Sequence, residues 1–196
     1  MKKKTGWIAA VMAVVITFSF CSCGIHVKNS EDSTSEMKKS EPKEKTFMTS
    51  DEKYSLTVDT DWEDVLAEYK KSNKDMTLML KNEMLYVGII PKDKSEYDGL
   101  VTVKDVKDYA DVVVQGMEEG TKSFKSTELK PADVGEYKGY YADANIKTED
   151  LKLAYRMYFA DTGSEYVEVL FWTDKEVFSK KETTIDDLVQ TFKKNG

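Results

Sequence analysis

Apolar residues fall into three regimes along this 196-residue chain. From Trp7 to Phe20 they run almost unbroken, and from Gly24 to about Thr46 they nearly vanish. From Phe47 onward they recur at the spacings of strands and helices. The pattern divides the chain into a targeting segment (1–22), a polar tether (23–46) and one folded domain (47–196).

Within the domain, "KYSLTV" (53–58) alternates Tyr54, Leu56 and Val58 with polar residues, the period of a half-buried strand. "DWEDVLAEYKK" puts Trp62, Val65, Leu66 and Tyr69 at i, i+3, i+4, i+7, which predicts a short helix with Asp61 at its N-cap. "MTLMLK" and "MLYVGII" predict two strands joined at Asn82-Glu83. The strongest helical pattern covers Val103–Glu119, with Thr102 and Asp105 at its start and Gly120 as its stop. A strand is predicted near Ser123–Leu129. A closing helix is predicted after Thr184, where Ile185, Leu188, Val189 and Phe192 share a face.

Between the helices lie "EYKGYYADANIK", "LKLAYRMYFA" and "SEYVEVLFWT", a three-strand meander. A first turn at Lys147–Asp150 pairs Ile146/Leu151, Ala144/Leu153, Ala142/Tyr155 and Tyr140/Met157, setting small residues against large ones. A three-residue loop Asp161-Thr162-Gly163, with the glycine in the left-handed position, pairs Met157/Val167, Tyr155/Val169 and Leu153/Phe171. That register lines Tyr141, Arg156 and Glu168 in one row, sets Tyr158 against Tyr166, and adds Leu170 and Trp172 to the same face. A solvent face should be polar. Two explanations stand: a helix covers this face, with Arg156–Glu168 an internal ion pair and Tyr141 on the guanidinium, or the face binds a ligand or partner.

Charge narrows the function classes. The chain has 29 basic and 36 acidic residues, and Lys2, Lys3 and Lys4 belong to the targeting segment. Nucleic-acid binding needs a dense positive patch, and this domain is acidic. A body of about 150 residues buries enough surface to fold without disulfide staples.

Lys2–Lys4, the apolar run and Ser22-Cys23-Gly24 have the layout of a secretory signal. The run is about 15 residues, short of the ~20 a spanning helix needs; an uncleaved anchor continuing to Val27 is the competing reading. Phe20-Cys21-Ser22-Cys23 resembles a bacterial lipobox, which implies cleavage before Cys23 and acylation of its thiol. The alternative, a metal or redox Cys-X-Cys pair, lacks further ligands: His26 is the only histidine, and it lies in the tether. Two or three acyl chains make a stable anchor. The expected location is the outer face of the bacterial cytoplasmic membrane, with the tether, disordered by composition, holding the domain roughly 25–30 Å away.

The succession of strand, Trp loop, hairpin, amphipathic helix, antiparallel meander and terminal helix resembles the PsbP-like family. The residues that carry the resemblance are "YSLTVDTDW" (Tyr54–Trp62) and "IDDLVQTFK" (Ile185–Lys193). Where the family usually has a proline shortly before the tryptophan, this chain has Asp59-Thr60-Asp61. The resemblance implies an α+β fold, an antiparallel sheet between helices in an α/β/α sandwich, and it transfers no catalytic residue.

No histidine follows His26 and no cysteine follows Cys23. Ser-His-Asp and Cys-His catalysis and thiolate or imidazole metal sites are thereby excluded from the domain. Asp59, Asp61, Glu63 and Asp64 lack the glycine turn and full ligand set of a calcium loop, and helix capping explains them better. No cofactor and no metal is expected. The expected function is a non-enzymatic binding or accessory module with a protein or small-molecule partner, held to the membrane through Cys23. The alternative is a carboxylate-dependent hydrolase of envelope polymers, which needs two carboxylates ~5–9.5 Å apart across a cleft.

Overall fold

The computed structural model describes residues 44–71, 73–97, 102–121, 123–147 and 152–196. The targeting segment, Cys23 and nearly all of the tether lie outside the described residues.

The most apolar segment of the chain dictates the architecture. Strand β10 (Glu165–Asp174) buries every residue but its last, so both faces of the sheet around it must be covered. It pairs antiparallel with β5 (Leu85–Asp93) on one side and β9 (Lys152–Asp161) on the other. Beyond β5 come β4 (Leu78–Asn82) and β3 (Glu63–Asp64); beyond β9 comes β8 (Tyr137–Lys147), whose outer edge takes β7 (Lys130–Val134) and β6 (Lys125–Ser126). A second sheet is built from β1 (Glu44–Met48), β2 (Tyr54–Asp59) and β11 (Lys193–Lys194).

Two cores result, one per face of the large sheet. Helix α2 (Val106–Gly120) lays Tyr109, Ala110 and Val113 on one face, against Ala142, Tyr155, Met157, Phe159, Tyr166, Leu170 and Trp172. Helix α3 (Lys175–Val189) and the small sheet cover the other, packing Ile185, Leu188, Val189, Leu56 and Phe192 on Val167, Val169 and Phe171. The fold is α+β, with the antiparallel sheet between helices, as the resemblance implies. Among the described residues no helix is long and apolar enough to cross a membrane.

Local structure departs from the sequence pattern at several points. The helix expected from Trp62 is reduced to α1 (Leu66–Tyr69), because Trp62 and Val65 are drawn into opposite cores and Glu63–Asp64 pair with β4. Asp64, not Asp61, meets its first turn, accepting from the Leu66 amide. The β4–β5 turn is Glu83-Met84, since Asn82 pairs with Leu85, and Glu83 takes the positive φ of 51°. Helix α2 begins three residues later than expected: Asp105 caps the Lys107 and Asp108 amides, and the Asp108 carboxylate accepts from the Lys104 amide in return. Strand β1 starts at Glu44, inside the stretch assigned to the tether, because Phe47 reaches the core opposite Leu56.

The meander keeps its strands and changes its registers. Between β8 and β9 the pairs are Tyr140/Phe159, Ala142/Met157, Ala144/Tyr155 and Ile146/Leu153, displaced by two residues with every side chain on its expected face. Between β9 and β10 the slip is odd. The observed pairs are Phe159/Glu168, Met157/Leu170 and Tyr155/Trp172, so β10 is turned over relative to expectation. The cause is the loop: Thr162 amide and hydroxyl both donate to the Glu165 carbonyl, at 3.0 Å each, closing a turn longer than three residues.

Candidate functional site

The odd slip divides the seven residues of the expected aromatic face. Tyr141, Arg156 and Tyr158 stay together beneath α3, while Tyr166, Glu168, Leu170 and Trp172 point to the α2 side. The row Tyr141–Arg156–Glu168 and the pair Tyr158/Tyr166 do not form; the register partners are Tyr141/Tyr158, Asp143/Arg156 and Tyr158/Val169. Six of the seven are buried and Tyr141 is half-buried. The seven residues lie on two faces of the sheet, beneath α3 and α2, and form no single open surface.

Under α3, Arg156 takes three carboxylates. Its Nε and Nη2 donate to the two oxygens of Asp143 at 2.7 and 3.0 Å, a bidentate grip. Nη1 donates to Asp186 at 2.8 Å and Nη2 to Glu182 at 3.2 Å. The Tyr158 hydroxyl donates to the same Asp186 oxygen at 2.7 Å. Tyr141 and Phe178 flank the guanidinium, 5.2 and 5.6 Å from their ring centroids. Burial opposes the arginine charge, but the bonds and charge of Asp143 and the bond to Asp186 outweigh it and hold its pKa above the usual value. Glu182 and Asp186 sit at i and i+4 on α3, a spacing at which like charges repel; Arg156 makes that pair favourable. The network therefore pins α3 to β8 and β9.

Under α2, Glu168 is buried and accepts one hydrogen bond, from the Tyr109 hydroxyl at 2.6 Å. Burial pushes its carboxyl above the usual range, against the pull of that bond. Tyr109 stacks on Tyr166, 4.6 Å between centroids, and meets Tyr97 and Phe159 edge-on. Trp172 lies between Tyr86 and Tyr155 in a stacked row, and its indole N–H has no hydrogen-bond partner among the described residues.

Sequence reasoning missed a third network. The Tyr54 hydroxyl contacts Glu165 Oε2 at 2.7 Å and Thr162 Oγ1 at 2.8 Å, and Lys53 Nζ donates to Glu165 Oε1 at 2.7 Å. It ties β2 to the β9–β10 turn. A glutamate opening an apolar strand was its one visible signal.

The cleft found between the start of α2 and the β7–β8 hairpin measures about 520 Å³ and is lined by Asp105, Val106, Pro131, Ala132, Asp133, Lys138, Gly139 and Tyr140. Lys138 Nζ donates to Asp133 at 2.7 Å, and Asp105 is engaged as the helix cap. Asp59, Asp61, Glu63 and Asp64 are exposed. Among the described residues no group of three or more metal-ligating side chains is arranged to hold an ion.

No family model matches the sequence, and no curated protein does. Solved structures do match in fold. The solution structure of the cyanobacterial PsbP protein, CyanoP, of Synechocystis superposes with a TM-score of 0.60 at 8% identity, covering 83% of this chain and 98% of that one. LpqN of Mycobacterium tuberculosis, involved in cell envelope biogenesis, gives 0.50 at 10% identity over 79% and 91%. The Ran-binding protein Mog1p of Saccharomyces cerevisiae gives 0.50 at 7% identity over 78% and 96%.

Proposed function

We propose that this chain is a lipid-anchored extracytoplasmic protein that serves as a binding or accessory module at the cell envelope and catalyses no reaction. The observation that carries the reading is the lipobox-like Phe20-Cys21-Ser22-Cys23, placed directly after a basic and apolar signal. The PsbP-like fold supports it, since CyanoP shares that fold and so does LpqN, which is tied to envelope biogenesis. In this reading Cys23 is the first residue of the mature chain and its thiol carries the lipid.

The hydrolase alternative asks for two carboxylates facing across open space. The carboxylates that do converge, Asp143, Glu182 and Asp186, converge on one guanidinium, which favours a structural role for them.

Mass spectrometry of the mature N-terminus from the membrane fraction tests the anchor. The expected species begins at Cys23 and carries acyl chains, and C23S leaves the membrane fraction. A free, unacylated N-terminus, or one preceding Cys21, overturns the anchor. Release of soluble fragments from purified cell-wall polymer by the wild-type protein overturns the non-enzymatic role.

A further inference from the structure

Glu168 occupies an unusual position: mid-strand on the central β10, paired in register with Phe159 of β9 and Ile90 of β5, under the first turn of α2. Among the described residues no lysine or arginine forms an ion pair with it. Its Oε1 accepts from Tyr109, and its Oε2 has no hydrogen bond among the described residues. The Tyr109–Glu168 bond is also the one hydrogen bond between α2 and the central strands β5, β9 and β10 among those residues. Everything else joining that helix to those strands is apolar or aromatic contact.

One countercharge acts on the carboxyl, and it is shared. Lys92 of β5 acts on the carboxyl, but its ammonium is paired with Asp75, whose charge acts in the opposite sense. The 3₁₀ turn (Lys94–Tyr97) presents Tyr97, with Glu96 beside it, and β10 presents Tyr166. Lys94 lies over the Tyr166 ring and is bonded to Asp161. Asp105 and Asp108 offset the positive end of α2. A carboxylate buried with one neutral donor and no ion-pair partner is costly, so the group either keeps its proton or draws water in. Lifting α2, whose first turn covers it, opens the whole carboxyl to water.

We propose that Glu168 is a proton-operated catch that fastens α2 to the sheet: protonated, it lets the helix seat; ionised, it loosens that helix and leaves α3, on the opposite face, in place. In the lifted state the carboxyl is solvated and titrates near its ordinary value of about 4.3. In the seated state it holds its proton to higher pH. Between those two values the lifted population grows up to tenfold per pH unit, and it levels off once the seated form also ionises. The catch makes exposure of the Tyr97–Tyr109–Tyr166 cluster a function of pH.

Two measurements on the described domain within the full chain test this. Carbon-detected NMR of the Glu168 side-chain carboxyl gives its titration midpoint directly in the wild-type protein. Amide hydrogen-exchange protection factors from pH 4.5 to 8 compare α2 with α3, in wild type and in E168Q. The expected result is a midpoint above the ordinary glutamate range, with α2 protection falling as pH rises and α3 protection level. E168Q, which keeps the shape and cannot ionise, holds α2 protection at its acidic wild-type level throughout. A midpoint at or below the ordinary value overturns the catch, whether or not E168Q folds. So does a wild-type slope that persists in E168Q, or equal losses in α2 and α3.

Discussion

Arg156 of β9 and Asp143 of β8 stand opposite each other in register, and the guanidinium holds both carboxylate oxygens. That geometry makes the chain's single arginine the junction of sheet and α3, since its remaining donors reach Asp186 and Glu182. Replacing it with methionine keeps much of the stem and leaves three carboxylates without a cation. R156M should lose about 1.5–3 kcal/mol in urea denaturation, the range for hydrogen bonds to charged groups, since the carboxylates left behind are partly exposed and can be solvated. R156K should fall between, because an ammonium keeps the charge and loses the fork. A loss under about 0.5 kcal/mol would class the network with ordinary surface pairs.

Tyr54 and Glu165 predict a second loss. Y54F removes a hydroxyl that serves both the buried Glu165 carboxylate and Thr162. Bonds to charged groups contribute about 1.5–3 kcal/mol, and Y54F should cost that much. K53M should cost less, about 1 kcal/mol or under, since Lys53 is half exposed and its pair is screened. Equal losses would show that the ion pair, and not the tyrosine, secures the turn.

How far these sites were legible follows from the strands that carry them. The α+β class, the meander and the two helices were readable because their apolar residues repeat at periods of two or 3.6. The β8–β9 faces came out correctly, since an error of two residues preserves the alternation. The β9–β10 register was not readable in the same way. Val167, Val169 and Phe171 form one apolar face of β10, and Tyr166, Leu170 and Trp172 form another, so a slip by an odd number violates no pattern. The turn decided it, through two bonds from Thr162 that composition does not reveal. The first half of α3 was missed for a related reason: "KEVFSKKETT" has Val177 and Phe178 as its large apolar residues and no repeat. Its helix is held by the Asp174 cap and by Arg156 gripping Glu182, a partner distant in sequence.

Two glycines with positive φ should respond in opposite degree to alanine. Gly135 has φ of +56°, and a Cβ there would come within 1.9 Å of the Phe192 carbonyl oxygen, which is backbone and cannot step aside. Its amide also donates to the Val189 carbonyl, locking the β7–β8 turn to the end of α3. G135A should lose more than about 4 kcal/mol or fail to fold, the range of severe single substitutions. Gly163, at φ +95°, has nothing within 4 Å of its would-be Cβ. G163A should cost only the backbone strain, about 1–2 kcal/mol. Thermal unfolding of the pair separates steric from conformational cost, and similar losses would contradict the close approach at Gly135.

Alkaline pH should unfold the protein through its tyrosines. Burial raises the hydroxyl pKa of Tyr54, Tyr109, Tyr155 and Tyr158 well above the ordinary value of about 10, and pushes Tyr97 up to about 12. An acid whose folded pKa is raised keeps its full contribution to stability below the unfolded value and loses it as pH climbs toward the folded one. The loss therefore begins near pH 10, at up to about 1.4 kcal/mol per pH unit for each such tyrosine. Absorbance near 295 nm should show these hydroxyls ionising together, in step with the loss of far-ultraviolet circular dichroism. Tyr155 isolates the cause: its shift comes from burial alone, and its hydroxyl has no hydrogen-bond partner among the described residues. Y155F should leave stability at pH 7 within about 0.5 kcal/mol, since no bond is lost. It should also move the alkaline midpoint upward, because one ionisable group that favours the unfolded chain is gone. An unchanged midpoint in Y155F would mean that the tyrosines follow unfolding without driving it.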